Sequence, residues 1–144
     1  MKTLLDLAKR MDYLSVEIPK ALSNNISQTS ELLQVGLTAH TPVDTSKALS
    51  NWVLTLEEPF DLDLDAYRLG SGGSTQNASI QEALTQGRQQ LKLKKPGMPV
   101  FISNNADYIR KLNDGSSKQA PAGFIEREVM IAKRSSRRIG FRVR

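Results

Sequence analysis

The sequence contains no cysteine and only one histidine among its 144 residues. These absences exclude disulfide frameworks, thiolate zinc sites, cysteine nucleophiles and multi-histidine metal sites. Its apolar runs are only a few residues long, far short of the roughly 20 residues that a helix needs to cross a bilayer. Asp6, Lys9 and Arg10 interrupt the first apolar stretch, so we expect no signal peptide and no membrane contact. A chain of this length predicts a single domain over 1–144 that folds without disulfides or metal.

Charge is divided along the chain. Residues 1–114 carry 12 basic and 13 acidic side chains, whereas residues 115–144 carry 8 basic and 2 acidic ones. The acidic side chains are concentrated in one stretch, the acidic segment: Glu57, Glu58, Asp61, Asp63 and Asp65. The basic ones are concentrated near the C-terminus, in the basic cluster: Lys133, Arg134, Arg137, Arg138, Arg142 and Arg144. We therefore expect two oppositely charged surfaces on one molecule.

The first 40 residues form a helical region, because apolar side chains recur there at helical spacing from Leu4 to Leu37. Pro19 cannot donate a helical hydrogen bond. Pro19 therefore either kinks one long helix or lies in the first turn of a second helix, from about Pro19 to about Ala39, and the break is the favoured interpretation.

Residues 41–144 read as an α+β body. Short strands are predicted over 51–56, with Trp52 in the core, over 60–65 with alternating apolar and acidic residues, and over 99–103. A flexible glycine-rich loop over 69–77 precedes a helix from Ala78 to about Leu93. The segregation of helices and strands favours a mainly antiparallel sheet, with the long N-terminal helix and further helices packed on it.

Two further elements are predicted near the C-terminus. Pro121 suits the first turn of a last helix that carries Phe124. Residues 137–144 alternate arginine with apolar residues, a pattern that predicts a basic terminal strand.

The sequence offers no recognisable catalytic, cofactor or metal site, and we expect the protein not to be an enzyme. The alternating carboxylates of the acidic segment start like a calcium-binding loop, but Ala66 and Gly72 occupy the positions that require Gly and Glu. His40 lies at a helix end without a nucleophile pattern, and a polar cap of the helix accounts for it.

A nucleic-acid-binding function is the alternative that the basic cluster leaves open. Clustered Lys and Arg are the electrostatic footprint of phosphate-backbone binding. No helix-turn-helix, zinc-finger or RNP pattern accompanies the cluster, so a basic surface that contacts protein is the favoured interpretation.

Three segments are more specific than composition. Residues 41–52, TPVDTSKALSNW, resemble the "PVDTG…A…NW" signature of a family of tailed-bacteriophage minor tail proteins, also described as neck, head-tail joining or tail-completion proteins. Residues 100–112, VFISNNADYIRKL, are similar to its "V-[FY]-I-[ST]-N-N-x-x-Y-x-x-x-L" segment, and residues 114–124 to its "GxSxQAPAG" segment. The chain departs from the pattern at Ser46, where the family usually has Gly, and Ser resists the positive φ that Gly permits.

The motif residues predict structural roles. Asp44 is expected to cap a short helical turn, Asn104 and Asn105 to cap the helix of Tyr108, and residues 119–123 to form a rigid loop before the last helix. The complete set of motif residues is Pro42, Asp44, Trp52, Asn104, Asn105, Tyr108, Gln119, Pro121 and Gly123.

The resemblance implies an assembly function without a cofactor. It implies a ring of identical subunits, with a hexamer as the expected order, between a portal or connector on one side and a tail protein on the other. The ring would be assembled in the host cytoplasm and located at the head-tail junction of the virion, where genomic DNA passing through the lumen is a nonspecific contact. We expect the acidic segment and the basic cluster to meet, either between neighbouring subunits or across the junction to the next ring.

Overall fold

The computed structural model describes residues 3–139 and has the predicted α+β architecture, with a long N-terminal helix, further helices and a small antiparallel sheet. In chain order the elements are α1 (Leu4–His40), α2 (Lys47–Ser50), β1 (Val53–Leu56), α3 (Gln76–Lys92), β2 (Val100–Ser103), α4 (Ile109–Asn113) and α5 (Phe124–Ile139). The C-terminal half of α1 packs against α3, α5 and β2. Within residues 3–139, no helix combines the length and the apolar character that a membrane span requires.

Helix α1 is continuous, so the predicted break at Pro19 is wrong. Its start is fixed by a capping box, in which the Thr3 hydroxyl accepts from the Asp6 N–H and the Asp6 carboxylate accepts from the Thr3 N–H, each at 3.1 Å. Pro19 removes one helical hydrogen bond but has a φ that suits a helix, and its ring lies on the exposed side. The helix therefore passes through it.

The two strands pair antiparallel, with Leu54 opposite Ile102 and Thr55 opposite Phe101. Trp52 is buried beside β1, as predicted, and its indole N–H donates to the Thr41 hydroxyl at 2.7 Å. This bond ties the end of α1 to the start of the sheet. The apolar core around it consists of Leu37, Val43, Ala48, Leu49, Leu54, Ala83, Leu84, Ala106, Ala120, Phe124 and Ala132.

A buried amide holds α1 to both the sheet and α3. Gln34 donates from Nε2 to the carbonyl oxygens of Trp52 and Ala83, each at 3.2 Å. Its Oε1 lies against Gly87 of α3, where a side-chain Cβ would overlap with it. Glycine is thus required at position 87 because the Gln34 side chain leaves no room for a Cβ, and not because of the backbone angles.

The predicted strand over 60–65 does not form. These residues belong to a loop between β1 and α3, and side chains bind their backbone groups instead of a neighbouring strand. Alternation of apolar and acidic residues was the only signal for the strand, and alternation does not supply a pairing partner.

The C-terminal prediction is also corrected. Helix α5 begins at Phe124, after Gly123 with φ 78°, so Pro121 lies in the preceding loop and not in the helix. The helix extends to Ile139, so residues 137–139 are helical and not part of a strand. The rest of the predicted strand, 140–144, lies outside the described residues. Ser136 stabilises the helical path, because its hydroxyl and carbonyl both bond to the Asn25 side chain on α1.

Ser46 adopts the left-handed conformation, with φ 67°, immediately before α2. It is buried, and its hydroxyl lies 2.9 Å from that of Thr75. A non-glycine residue in this region costs roughly 1–2 kcal/mol, and a hydrogen bond contributes about 1 kcal/mol. The two effects are separable by substitution.

We therefore expect S46A to lose about 1–2 kcal/mol in free energy of unfolding, because it keeps the strain and loses the hydrogen bond. S46G loses the same bond but removes the strain, so its stability should lie within about 1 kcal/mol of the wild type. Urea denaturation of both variants measures the difference. Equal stability of S46A and S46G would show that φ at this position carries no strain.

Candidate assembly surfaces

The acidic segment is an exposed loop with a backbone that is fixed by two asparagines. Asn51 is 1% exposed, and its amide both donates to the Leu64 carbonyl and accepts from the Leu64 N–H, each at 2.8 Å. Asn105 donates to the carbonyls of Phe60 and Leu62 at 2.8 and 3.2 Å. The carboxylates are therefore presented on an ordered backbone rather than on a free loop.

This arrangement changes the predicted roles of the asparagines. Asn105 does not cap a helix, and Asn104 bonds to the Ala48 carbonyl at 2.8 Å and to the Ala106 N–H at 3.1 Å. Helix α4 instead starts after Tyr108 without a side-chain cap. The sequence showed the paired asparagines, but it gave no signal for their distant backbone partners.

A strained turn opens the acidic segment. Glu57 has φ 72°, and the N–H of Glu58 donates to the Leu56 carbonyl at 2.8 Å across it. A hydrogen bond from residue i+2 to residue i around a positive φ defines a strained γ-turn. Strain of this kind concentrates at functional positions, and here it directs two carboxylates out of the end of β1.

One carboxylate of the segment is paired within the chain. Asp63 accepts from the Lys47 ammonium group at 2.7 Å. This hydrogen bond raises the pKa of Lys47 above its ordinary value, against the opposing effect of desolvation. Asp63 therefore anchors the segment, while Glu57, Glu58, Asp61 and Asp65 are exposed side chains for which residues 3–139 show no ion pair.

The described part of the basic cluster lies on α5. Lys133, Arg134, Arg137 and Arg138 are all exposed, and their spacing places them on one side of the helix. Phe124, Glu128 and Ala132 occupy the buried side. Arg142 and Arg144 lie outside the described residues. Between residues 3 and 139, no ion pair joins the basic cluster to the acidic segment.

Helix α5 also carries a buried carboxylate that sequence reasoning missed. Glu128 packs against Gly36 of α1, where a Cβ would overlap with its Oε2. Its Oε1 lies 3.0 Å from Nδ1 of His40 and 3.4 Å from Nε of Arg127, but makes no hydrogen bond of good geometry within the described chain. His40 also lies 3.0 Å from the Gly36 carbonyl, so it closes the last turn of α1 as predicted. The sequence does contain a signal for its burial, because Glu128 shares the helical spacing of the buried residues Phe124 and Ala132.

The three motif segments converge on a second feature, an open groove of about 350 Å³. Gln119 bridges two of them, because its amide accepts from the Val43 N–H at 2.8 Å and donates to the Val43 carbonyl at 3.1 Å.

Asp44 does not cap α2 as predicted. Its carboxylate accepts from the Gly72 N–H at 2.7 Å, and its carbonyl accepts from the Gly73 N–H at 3.0 Å. The glycine-rich loop is thus bound to the motif, which the prediction of a flexible connection missed.

The residues that line the groove do not form a candidate metal site. Across residues 3–139, no three His, Asp or Glu side chains come together as a metal ion would need. The lining consists of Pro42, Val43, Asp44, Thr45, Ser46, Lys47, Ala48, Tyr108, Leu112, Ser117 and Gln119.

Comparison of the chain with protein-family models, curated proteins and solved structures gave no match.

Proposed function

We propose that the protein is a structural component of the head-tail junction of a tailed phage, which acts by ring assembly through protein–protein contacts. The observation that carries the proposal is the pair of oppositely charged surfaces: an acidic segment on a fixed backbone and a basic face on α5, unpaired with each other in residues 3–139. Two complementary, non-identical surfaces on one subunit are what a head-to-tail contact repeated around a ring requires.

The motif geometry supports the same proposal. The three segments that resemble the phage family pack around one groove, and Gln119 joins the first segment to the third. Ser46 has the positive φ that the glycine of the family pattern would favour. The portal-side, tail-side and self contacts of the proposed ring follow from the resemblance.

Charge reversal tests the proposal. Exchange of Asp61 and Asp65 for Lys should abolish assembly and leave the subunit folded, because both side chains are exposed and the Lys47–Asp63 pair is retained. Sedimentation and native mass spectrometry measure assembly, and circular dichroism measures folding. The matched control is D114K, which reverses an exposed carboxylate outside both surfaces.

A compensating variant sharpens the test. Reversal of Arg134, Arg137 and Arg138 to Glu in the D61K/D65K chain provides carboxylates for the two introduced lysines and should restore part of the assembly. Normal assembly of D61K/D65K, or equal loss in D114K, would contradict the proposal.

A nucleic-acid-binding function is the second candidate, and the exposed cationic face of α5 is the observation that favours it. A helix with four cations on one side can contact a phosphate backbone. Titration with duplex DNA at several salt concentrations tests it, because each phosphate contact should add about −0.9 to the slope of log K against log salt. Binding that R134E/R137E/R138E leaves unchanged would exclude this role for α5.

A further inference from the structure

The N-terminal half of α1 is an arm that projects from the body. Over residues 4–22 the chain has no buried residue, whereas Ser23, Gln34, Leu37 and Thr38 are buried farther along the same helix. Large apolar side chains are nonetheless exposed along this arm. They are Leu4, Leu5, Leu7, Met11, Tyr13, Val16, Ile18 and Leu22.

So many exposed apolar side chains are unusual on a protein surface that contacts only water. Contiguous exposed apolar side chains mark interaction sites, and a short helix in water gains most of its stability from packing of its apolar face. The capping box at Thr3 shows that the helix has a defined start. The helix therefore carries an apolar surface that the described residues of its own body leave largely exposed, with Leu14 and Ala21 partly buried.

The apolar side chains of the arm form a seam with the spacing of a coiled coil. Six residues recur at alternating intervals of three and four, which corresponds to positions a and d of successive heptads. They are Leu4, Leu7, Met11, Leu14, Ile18 and Ala21. Pro19 falls at position b, away from the seam, so it does not interfere with helix pairing there.

The seam continues into an apolar groove where the arm meets the body. Ile18, Leu22 and Ile26 of α1 line it on one side, and Met98 and Pro99 line it on the other. Its volume is about 400 Å³. A helix that packs along the seam, and that has large apolar side chains at its end, would fill this groove.

We infer that a second copy of this chain covers the seam, with the two α1 arms antiparallel. In this register Met11 packs on Leu14 of the partner, Leu7 on Ile18, and Leu4 on Ala21, so that the partner's first leucines reach the groove. Leu4 is 85% exposed in the single chain, and the contact would bury it.

The charges beside the seam select this orientation. Arg10 and Glu17 both occupy position g, and g positions face each other across an antiparallel pair. The stated register brings Arg10 of each copy to Glu17 of the other, which gives two ion pairs. In a parallel pair, Arg10 would face Ser15 and Glu17 would face Leu22, and the groove would have no occupant.

This inference goes beyond the proposed function and does not depend on it. An antiparallel contact has two-fold symmetry and closes on itself, whereas the contact between acidic and basic surfaces is head-to-tail. The two contacts use different residues, so loss of one leaves the other measurable.

Disulfide trapping tests the orientation, and the absence of native cysteine makes every introduced thiol unique. When L7C and I18C chains are mixed and oxidised, the antiparallel register predicts a covalent dimer that contains one chain of each. Neither variant should crosslink alone. Residues 7 and 18 lie about 16 Å apart along one helix, so a disulfide within a chain does not compete. Crosslinking of L7C alone and I18C alone would indicate a parallel pair and overturn the inference.

A matched pair of substitutions tests the seam itself. Met11 lies on the seam and Val16 lies away from it, and their exposures are similar at 62% and 53%. Sedimentation should show that M11D loses the dimer and that V16D retains it, with equal helix content by circular dichroism. Loss in both variants, a monomeric wild type, or binding of the monomeric wild type to vesicles of mixed neutral and anionic phospholipid would overturn the inference.

The ion pairs provide an independent readout. R10E and E17R should each weaken the dimer by about tenfold, because each change replaces two attractions with two repulsions beside the seam. E17R also removes the 3.0 Å ion pair between Glu17 and Lys20 of the same chain. The double variant R10E/E17R restores both pairs with reversed sign and should recover wild-type affinity. A double variant as weak as the single ones would contradict the antiparallel register.

Discussion

G87A should lower the free energy of unfolding by about 3–5 kcal/mol. A Cβ at this position overlaps with Oε1 of Gln34, so the amide must move from its buried site. Movement breaks the bonds from Gln34 to the Trp52 and Ala83 carbonyls. Overpacking costs about 1–3 kcal/mol, and each buried group left without a partner costs about 1–3 kcal/mol more.

Urea denaturation followed by fluorescence of Trp52 measures this loss. T85A is the control, because Thr85 lies on the exposed side of the same helix and should change stability by no more than about 0.5 kcal/mol. In a Q34A background the obstacle is absent, so the added cost of G87A should fall to about zero. A full cost in that background would show that Gln34 is not the reason for the glycine.

N51A should lower the free energy of unfolding by about 2–4 kcal/mol and loosen the acidic segment. Asn51 makes three hydrogen bonds through its side chain, one to Lys47 and two to Leu64. Its loss leaves the Leu64 N–H and two carbonyls without these partners, and each partly buried group costs about 1 kcal/mol or more. The segment would then keep its charges and lose its fixed shape.

Two measurements separate these effects. Urea denaturation gives the stability, and limited digestion with a glutamate-specific protease reports on the mobility of Glu57 and Glu58. N77A, which removes an exposed asparagine of α3, is the control for both. Digestion of N51A at the wild-type rate would show that Asn51 does not hold the segment.

The elements that could be predicted are those with a local signal. Helix α3 has a clear apolar period, lies between glycine- and proline-containing segments, and begins within two residues of its predicted start. The strands that end at Leu56 and Ser103 also have local signals, although β1 begins at Val53, two residues later than predicted. Periodicity and chain breakers act over a few residues, which is the range that a sequence shows directly.

The two incorrect strand predictions have a common physical origin in distant hydrogen bonds. Residues 60–65 alternate like a strand, but their backbone bonds to Asn51 and Asn105. The pattern of residues 137–139 predicts a strand, but Ser136 bonds to Asn25 from 111 residues away and continues the helix. No local pattern encodes such a partner.

The candidate site was predicted in part. The sequence placed the acidic side chains together on one stretch, and the structure finds all five exposed. The strained turn at Glu57 and the internal pairing of Asp63 have no local signal in the sequence. These features depend on which surfaces face each other after folding.

Because α1 is continuous through Pro19, a single helix connects the arm to the core. Ile18, which lines the apolar groove beside the arm, and Gln34 in the core lie about 24 Å apart along this helix. The Gln34 amide bonds directly to the carbonyl before β1. A movement of the arm would therefore reach the start of the sheet through one helix, in which Pro19 removes a single hydrogen bond.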